Sequence, residues 1–106
     1  MRRQEILSLA KDTIHRVAPE AKVILYGSEA RGDARADSDM DFLILLPKER
    51  DDSFRDTELR ITEALLYDVE LETGVEMSPF VVSESWWNSH PTTPFTLNVK
   101  NEGILI

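Results

Sequence analysis

The sequence predicts an α/β (α+β) fold in which helices pack a small mixed β-sheet, and three observations carry that expectation. Apolar residues recur at helical spacing near the start and again in the middle of the chain. Three short runs rich in β-branched and aromatic residues lie between and after these stretches, and Gly or Pro closes the first two. No repeat, linker or low-complexity segment divides the 106 residues, so residues 1–106 are expected to form one domain with one core.

Ile6, Leu7, Ala10, Ile14 and Val17 stand at helical intervals with charged residues between them, and Ala18-Pro19 ends that helix. Lys22 to Tyr26 reads as a strand stopped by Gly27, and residues 28–38 as a small, polar and charged turn. Met40 to Leu46 is a second strand, closed by Pro47, and the charges from Lys48 to Asp52 form a solvated loop. Ser53-Phe54-Arg55-Asp56 resembles a capping box that opens a long helix with Phe54, Ile61, Leu65 and Val69 on its apolar face. Gly74 stands where that helix needs a C-terminal cap, and Val75 to Val82 is a third strand. Ser83 is placed to cap a short helix with Trp86 and Trp87, adjacent residues that cannot both face the core. Residues 94–102 suit a last helix, and Ile104-Leu105-Ile106 an edge strand or a partner contact. The expected order is α-β-turn-β-α-β-α-α.

Composition excludes several functions. A net charge of −8 speaks against a broad basic face for duplex nucleic acid. No apolar run approaches the roughly 20 residues of a membrane span, and the charged start does not resemble a signal peptide. With no cysteine there is neither a disulfide framework nor a thiolate metal site, which fits a cytoplasmic protein.

Asp39 and Asp41 flank Met40 at the entrance of the second strand, so their side chains point the same way from positions roughly 6.5 Å apart. Carboxylates at that separation can share two cations about 3.5–4 Å apart. Oxygen ligands alone favour Mg²⁺ or Mn²⁺ over zinc. Gly27 lets the backbone bend sharply, so that the turn amides and the Ser28 hydroxyl can cradle phosphate oxygens. Arg31 follows with a planar guanidinium suited to a phosphate. Glu76, at the start of the third strand, supplies a third carboxylate if that strand lies beside the second. Taken singly, each has a plainer reading: a solvated strand edge, an ordinary turn, a surface cation.

Together they resemble a family. Gly27-Ser28, ten residues, then Asp39-Met40-Asp41 is similar to the Gly-Ser-x10-Asp-x-Asp pattern of the DNA polymerase β-like nucleotidyltransferase superfamily. Ala30-Arg31-Gly32 and Ser38-Asp39 bring the string closer to the minimal nucleotidyltransferase (MNT) branch, and residues 98–106 resemble that branch's closing helix and strand.

The resemblance implies a polymerase β-like core that moves a nucleoside monophosphate, AMP by analogy, from an NTP onto an acceptor hydroxyl. Gly27, Ser28 and Arg31 would bind the nucleotide, ATP by the same analogy. Asp39, Asp41 and Glu76 would be the catalytic residues and the ligands of two Mg²⁺ or Mn²⁺ ions, with Glu76 standing where the family often has Asp. MNT proteins are frequently antitoxins paired with an all-helical HEPN ribonuclease, and some are said to adenylylate a tyrosine of that toxin. A HEPN-type partner is therefore expected. The alternative is a binding module of the same fold that neutralises a partner by contact.

Overall fold

The computed structural model describes residues 1–106. Four strands form one sheet in the order β3-β2-β1-β4. β1 (Lys22–Tyr26) runs antiparallel to β2 (Met40–Leu46) and to β4 (Ile104–Leu105), whereas β2 and β3 (Met77–Ser83) are parallel. The sheet is mixed, as predicted, and its fourth strand is the apolar tail. Ile106 extends the pairing by donating its N–H to the Val23 carbonyl at 2.9 Å.

Strand alternation divides the apolar residues between two faces. Val23 and Leu25 of β1, with Met40, Phe42, Ile44 and Leu46 of β2, meet Ile6, Ala10 and Ile14 of α1 (Arg3–Val17) and Phe54, Ile61 and Leu65 of α3 (Asp52–Leu65) in the larger core. Leu43, Leu45 and Val82 cover the opposite face with Trp87 of α5 (Glu84–Ser89) and Val99 of α6 (Pro94–Glu102). Residues with the odd parity of Leu43 therefore point to the α5–α6 side, and Asp41 is one of them.

Several local expectations change. The stretch expected to be a turn begins as a short helix, α2 (Gly27–Arg31), closed by Gly32 at φ 81°. The Ser53 capping box does not form. Asp51, two residues before Ser53, caps α3 instead: its backbone is extended and its carboxylate accepts the Phe54 N–H at 2.9 Å. The helix continues through a π-helical turn at Leu66–Glu70 and α4 (Leu71–Thr73) to Gly74, whose φ of 76° makes the expected C-terminal cap. The π turn has a reason in the sequence. Thr57, Ile61, Leu65 and Val69 are all buried at intervals of four, which swings a regular α-helix roughly 120° off its starting face. A wider turn recovers that drift.

The third strand begins at Met77 rather than Val75, so Glu76 precedes it. Ser83 caps α5 as expected, accepting the Trp86 N–H at 3.1 Å. Trp87 is buried, while Trp86 remains exposed and stacks on His90 with ring centroids 4.3 Å apart.

Candidate active site

The site lies where β1 ends and β2 and β3 begin. Antiparallel register sets Asp41 opposite Tyr26, the last residue of β1, and the chain turns at Gly27 with φ 75°. Parallel register sets Asp41 beside Ser78. Ahead of that pair, the Met40 N–H donates to the Glu76 carbonyl at 3.0 Å, which ties the two strand entrances together. Asp39 Oδ2 accepts from Ser78 Oγ at 3.3 Å. The Glu76 carboxyl also lies close enough to feel the Asp39 charge. Thus Asp39, Asp41 and Glu76 are brought to one end of the sheet, although Glu76 sits ahead of the strand.

Crowding of like charges changes how these acids hold protons. The Asp41 carboxyl is raised above its ordinary value by burial first, then by the Asp39 charge. Glu76 is raised by its hydrogen bond to Asp39, then by that carboxylate's charge. Tyr26 is raised as well, by burial and by facing Asp41. No three acidic or histidine side chains form a ready-made cage for a metal. The donor set nevertheless suits a hard divalent cation: it is all oxygen, and the repulsion within it is what a cation relieves.

On the other side of Gly27 stands a residue whose place in the site sequence reasoning did not foresee. Glu102, the last residue of α6, accepts the Gly27 N–H at 3.1 Å through Oε1 and Arg31 Nη1 at 3.1 Å through Oε2. Arg31 Nε meets Asp33 Oδ2 at 3.3 Å, so two acids hold the guanidinium expected to await a phosphate. The side chain of Glu102 is only 12 % exposed. These partners draw its carboxyl below the ordinary value, Arg31 first and then the Gly27 N–H.

The approach to the acids is organised from α1. Arg3 Nε donates to Glu29 of α2 at 2.6 Å, and its two terminal nitrogens donate to the carbonyls of Ala36 (3.2 Å) and Ser38 (2.9 Å). One arginine thus fastens the loop that ends in Asp39. The largest surface depression lies elsewhere, about 580 Å³ lined by Arg50, Phe80, Val82, Ser85 and Trp86 towards the far ends of β2 and β3. Its lining includes none of the gathered acids.

The model of the nucleotidyltransferase domain family matches residues 7–88, a span that includes the Gly27 turn and all three acids. The chain belongs to the nucleotidyltransferase domain family. Among solved structures, a chain assigned as a minimal nucleotidyltransferase is 26 % identical with a TM-score of 0.60, over 100 % of this chain and 97 % of that one. A chain assigned as a nucleotidyltransferase from Sulfolobus solfataricus has a TM-score of 0.59 at 20 % identity, over 95 % of this chain and 78 % of that one, and speaks for the fold alone. No curated protein is significantly similar in sequence. The expected nucleotidyltransferase fold is therefore present, and the match to the minimal structure runs the full length of this chain. No helix of this nucleotidyltransferase is long and apolar enough to cross a membrane.

Proposed function

We propose that this nucleotidyltransferase moves AMP from metal-bound ATP onto a protein hydroxyl, a tyrosine of a HEPN-type partner toxin, and so acts as an antitoxin in the cytoplasm. The observation that supports the transfer chemistry is Asp41 packed against the Gly27 turn, with Asp39 and Glu76 at the adjoining entrances of β2 and β3. The choice of AMP, tyrosine and partner rests on the likeness to the MNT branch.

In this reading Gly27 and Ser28 hold phosphate oxygens and Arg31 meets the polyphosphate after leaving its present acids. Asp39, Asp41 and Glu76 would hold two Mg²⁺ or Mn²⁺ ions. When bound, the ions supply charge neutralisation at the phosphates and a lowered pKa at the attacking hydroxyl. The acceptor oxygen forms a bond to the α-phosphorus as the bond to the bridging α–β oxygen breaks, and pyrophosphate leaves. A carboxylate of the trio, Glu76 in this reading, takes the hydroxyl proton. Net charge supports the need for metal. Arg31 is bonded to Asp33 and Glu102, so a triphosphate must bring its own compensating charge to this acid-rich turn.

Incubation with Mg²⁺ and α-labelled ATP in a host lysate tests the proposal, with Asp41→Asn as control. Label on one protein band, absent with the variant and mapped to a tyrosine, is the expected result. No label on any protein, with a partner still captured by both forms, would instead support the contact-only binding module.

A further inference from the structure

We infer that Glu102 is a built-in competitor for the polyphosphate, a latch whose carboxylate must swing away from Gly27 and Arg31 before a nucleotide seats. This rests on the proposal that these two residues receive phosphate oxygens.

The argument is one of shared donors. A carboxylate offers two oxygens about as far apart as two oxygens of one phosphate, and both choose the same partners, a backbone N–H and a guanidinium. Glu102 takes both, with Oε1 on the Gly27 N–H and Oε2 on Arg31, each at 3.1 Å. Asn98, one turn earlier on α6, donates to Oε1 at 3.3 Å and steadies the same pose. Each donor spent on Glu102 is one that a phosphate lacks.

The backbone carrying the latch is fixed. The Gly103 N–H donates to the Val99 carbonyl at 2.6 Å, and a Cβ on Gly103 would lie 2.8 Å from Ile24 Cγ2. The chain then pairs with β1 as β4, setting Ile24 against Leu105 and Leu25 against Ile104. Glu102 is therefore delivered to the turn by the tail's docking on β1. Its release needs only side-chain rotation, since its carboxylate makes no other hydrogen bond than those to Gly27, Arg31 and Asn98. A latch of this kind lowers apparent affinity by the fraction of molecules in which it is open.

The test compares wild type with Glu102→Gln, a variant that keeps an acceptor for Gly27 but loses the charge that holds Arg31. Binding of Mg²⁺-tripolyphosphate and of Mg²⁺ with α,β-methylene-ATP is measured by calorimetry. Roughly three- to tenfold tighter binding of both by the variant is expected, for a latch closed in most molecules. Equal or weaker binding by a variant with wild-type far-ultraviolet circular dichroism overturns the latch but leaves the phosphate site standing. No binding by either form overturns the phosphate site and the latch together. A second measurement needs no variant: carbon-13 and nitrogen-15 NMR of wild type during the titration. The Glu102 carboxyl and the Gly27 amide should shift together, and a nucleotide that binds while the Glu102 signal stays put overturns the proposal.

Discussion

Gly27 and Asp41 compete for one small volume. A Cβ built on Gly27 would collide with the Asp41 carboxylate and lie 3.2 Å from its Cγ. The positive φ of 75° adds backbone strain for any other residue. The glycine is thus required twice, by the turn and by the acid packed against it. Gly27→Ala should cost about 1–3 kcal/mol in urea denaturation and lower transfer by about a hundredfold through displacement of Asp41. A variant with wild-type activity would remove Asp41 from the chemistry or Gly27 from the turn.

Arg3 should matter to catalysis although it lies on a different element from the acids. It joins α1 to Glu29 and to the carbonyls of Ala36 and Ser38. Arg3→Ala is expected to cost about 1.5–3 kcal/mol and to speed amide exchange across residues 33–39. Activity should fall mainly in kcat, because the loop misplaces Asp39. Unchanged exchange in that loop would show that it holds its shape unaided.

Proton linkage gives a metal-free prediction. Asp41 and Glu76 bind protons more readily in the folded chain than their ordinary values, through burial and Asp39 for the first and through Asp39 for the second. Their favourable contribution is complete below the ordinary carboxylate value and is lost as pH rises through the raised folded-state values. Without divalent ions, Tm should therefore be higher at mildly acidic than at neutral pH. The double variant Asp41→Asn, Glu76→Gln should flatten that slope, and Mg²⁺ should raise Tm at neutral pH in wild type only. A wild-type melting curve indifferent to Mg²⁺ and Mn²⁺, with and without ATP, would count against the metal reading.

Glu70 supports the site from the π turn. Its Oε1 accepts the Met77 N–H at 2.9 Å and so holds the strand entrance next to Glu76. Glu70→Ala should leave that amide without its partner, at a cost of about 1–3 kcal/mol, and should depress kcat more than it raises KM. Restoration of most of the activity by Glu70→Gln, which keeps an acceptor oxygen, would confirm a positioning role.

The tryptophan pair should separate cleanly. Trp87 packs with Leu43, Leu45, Val82 and Val99 in the smaller core, whereas Trp86 is 39 % exposed. Trp87→Ala should destabilise by about 3–5 kcal/mol, and Trp86→Ala by well under half of that. Comparable losses from both would place Trp86 in packing that the structure does not contain.

Much of this was legible because the governing forces are local. The apolar runs Lys22–Tyr26 and Met40–Leu46, the caps at Gly74 and Ser83, and the split fates of Trp86 and Trp87 follow from residue type, spacing and nearest neighbours. The same holds for Gly27, whose positive φ belongs to the turn itself. Where competition between neighbours decides, the reading slipped. Asp51 displaced Ser53 as the cap of α3, and residues 27–31 coiled into a helix where small polar residues suggested a turn.

What the sequence by itself determined was the list of elements and the family pattern from Gly27 to Asp41. Only the tertiary structure decided who meets whom. Parallel pairing of β2 with β3 brought Glu76 to Asp39 across 36 intervening positions. Docking of the tail on β1 carried Glu102 to Gly27 and Arg31, and α1 brought Arg3 to the loop before Asp39. The physical reason is that spacing along a chain sets local geometry, whereas contacts between distant residues depend on how apolar faces choose to bury one another.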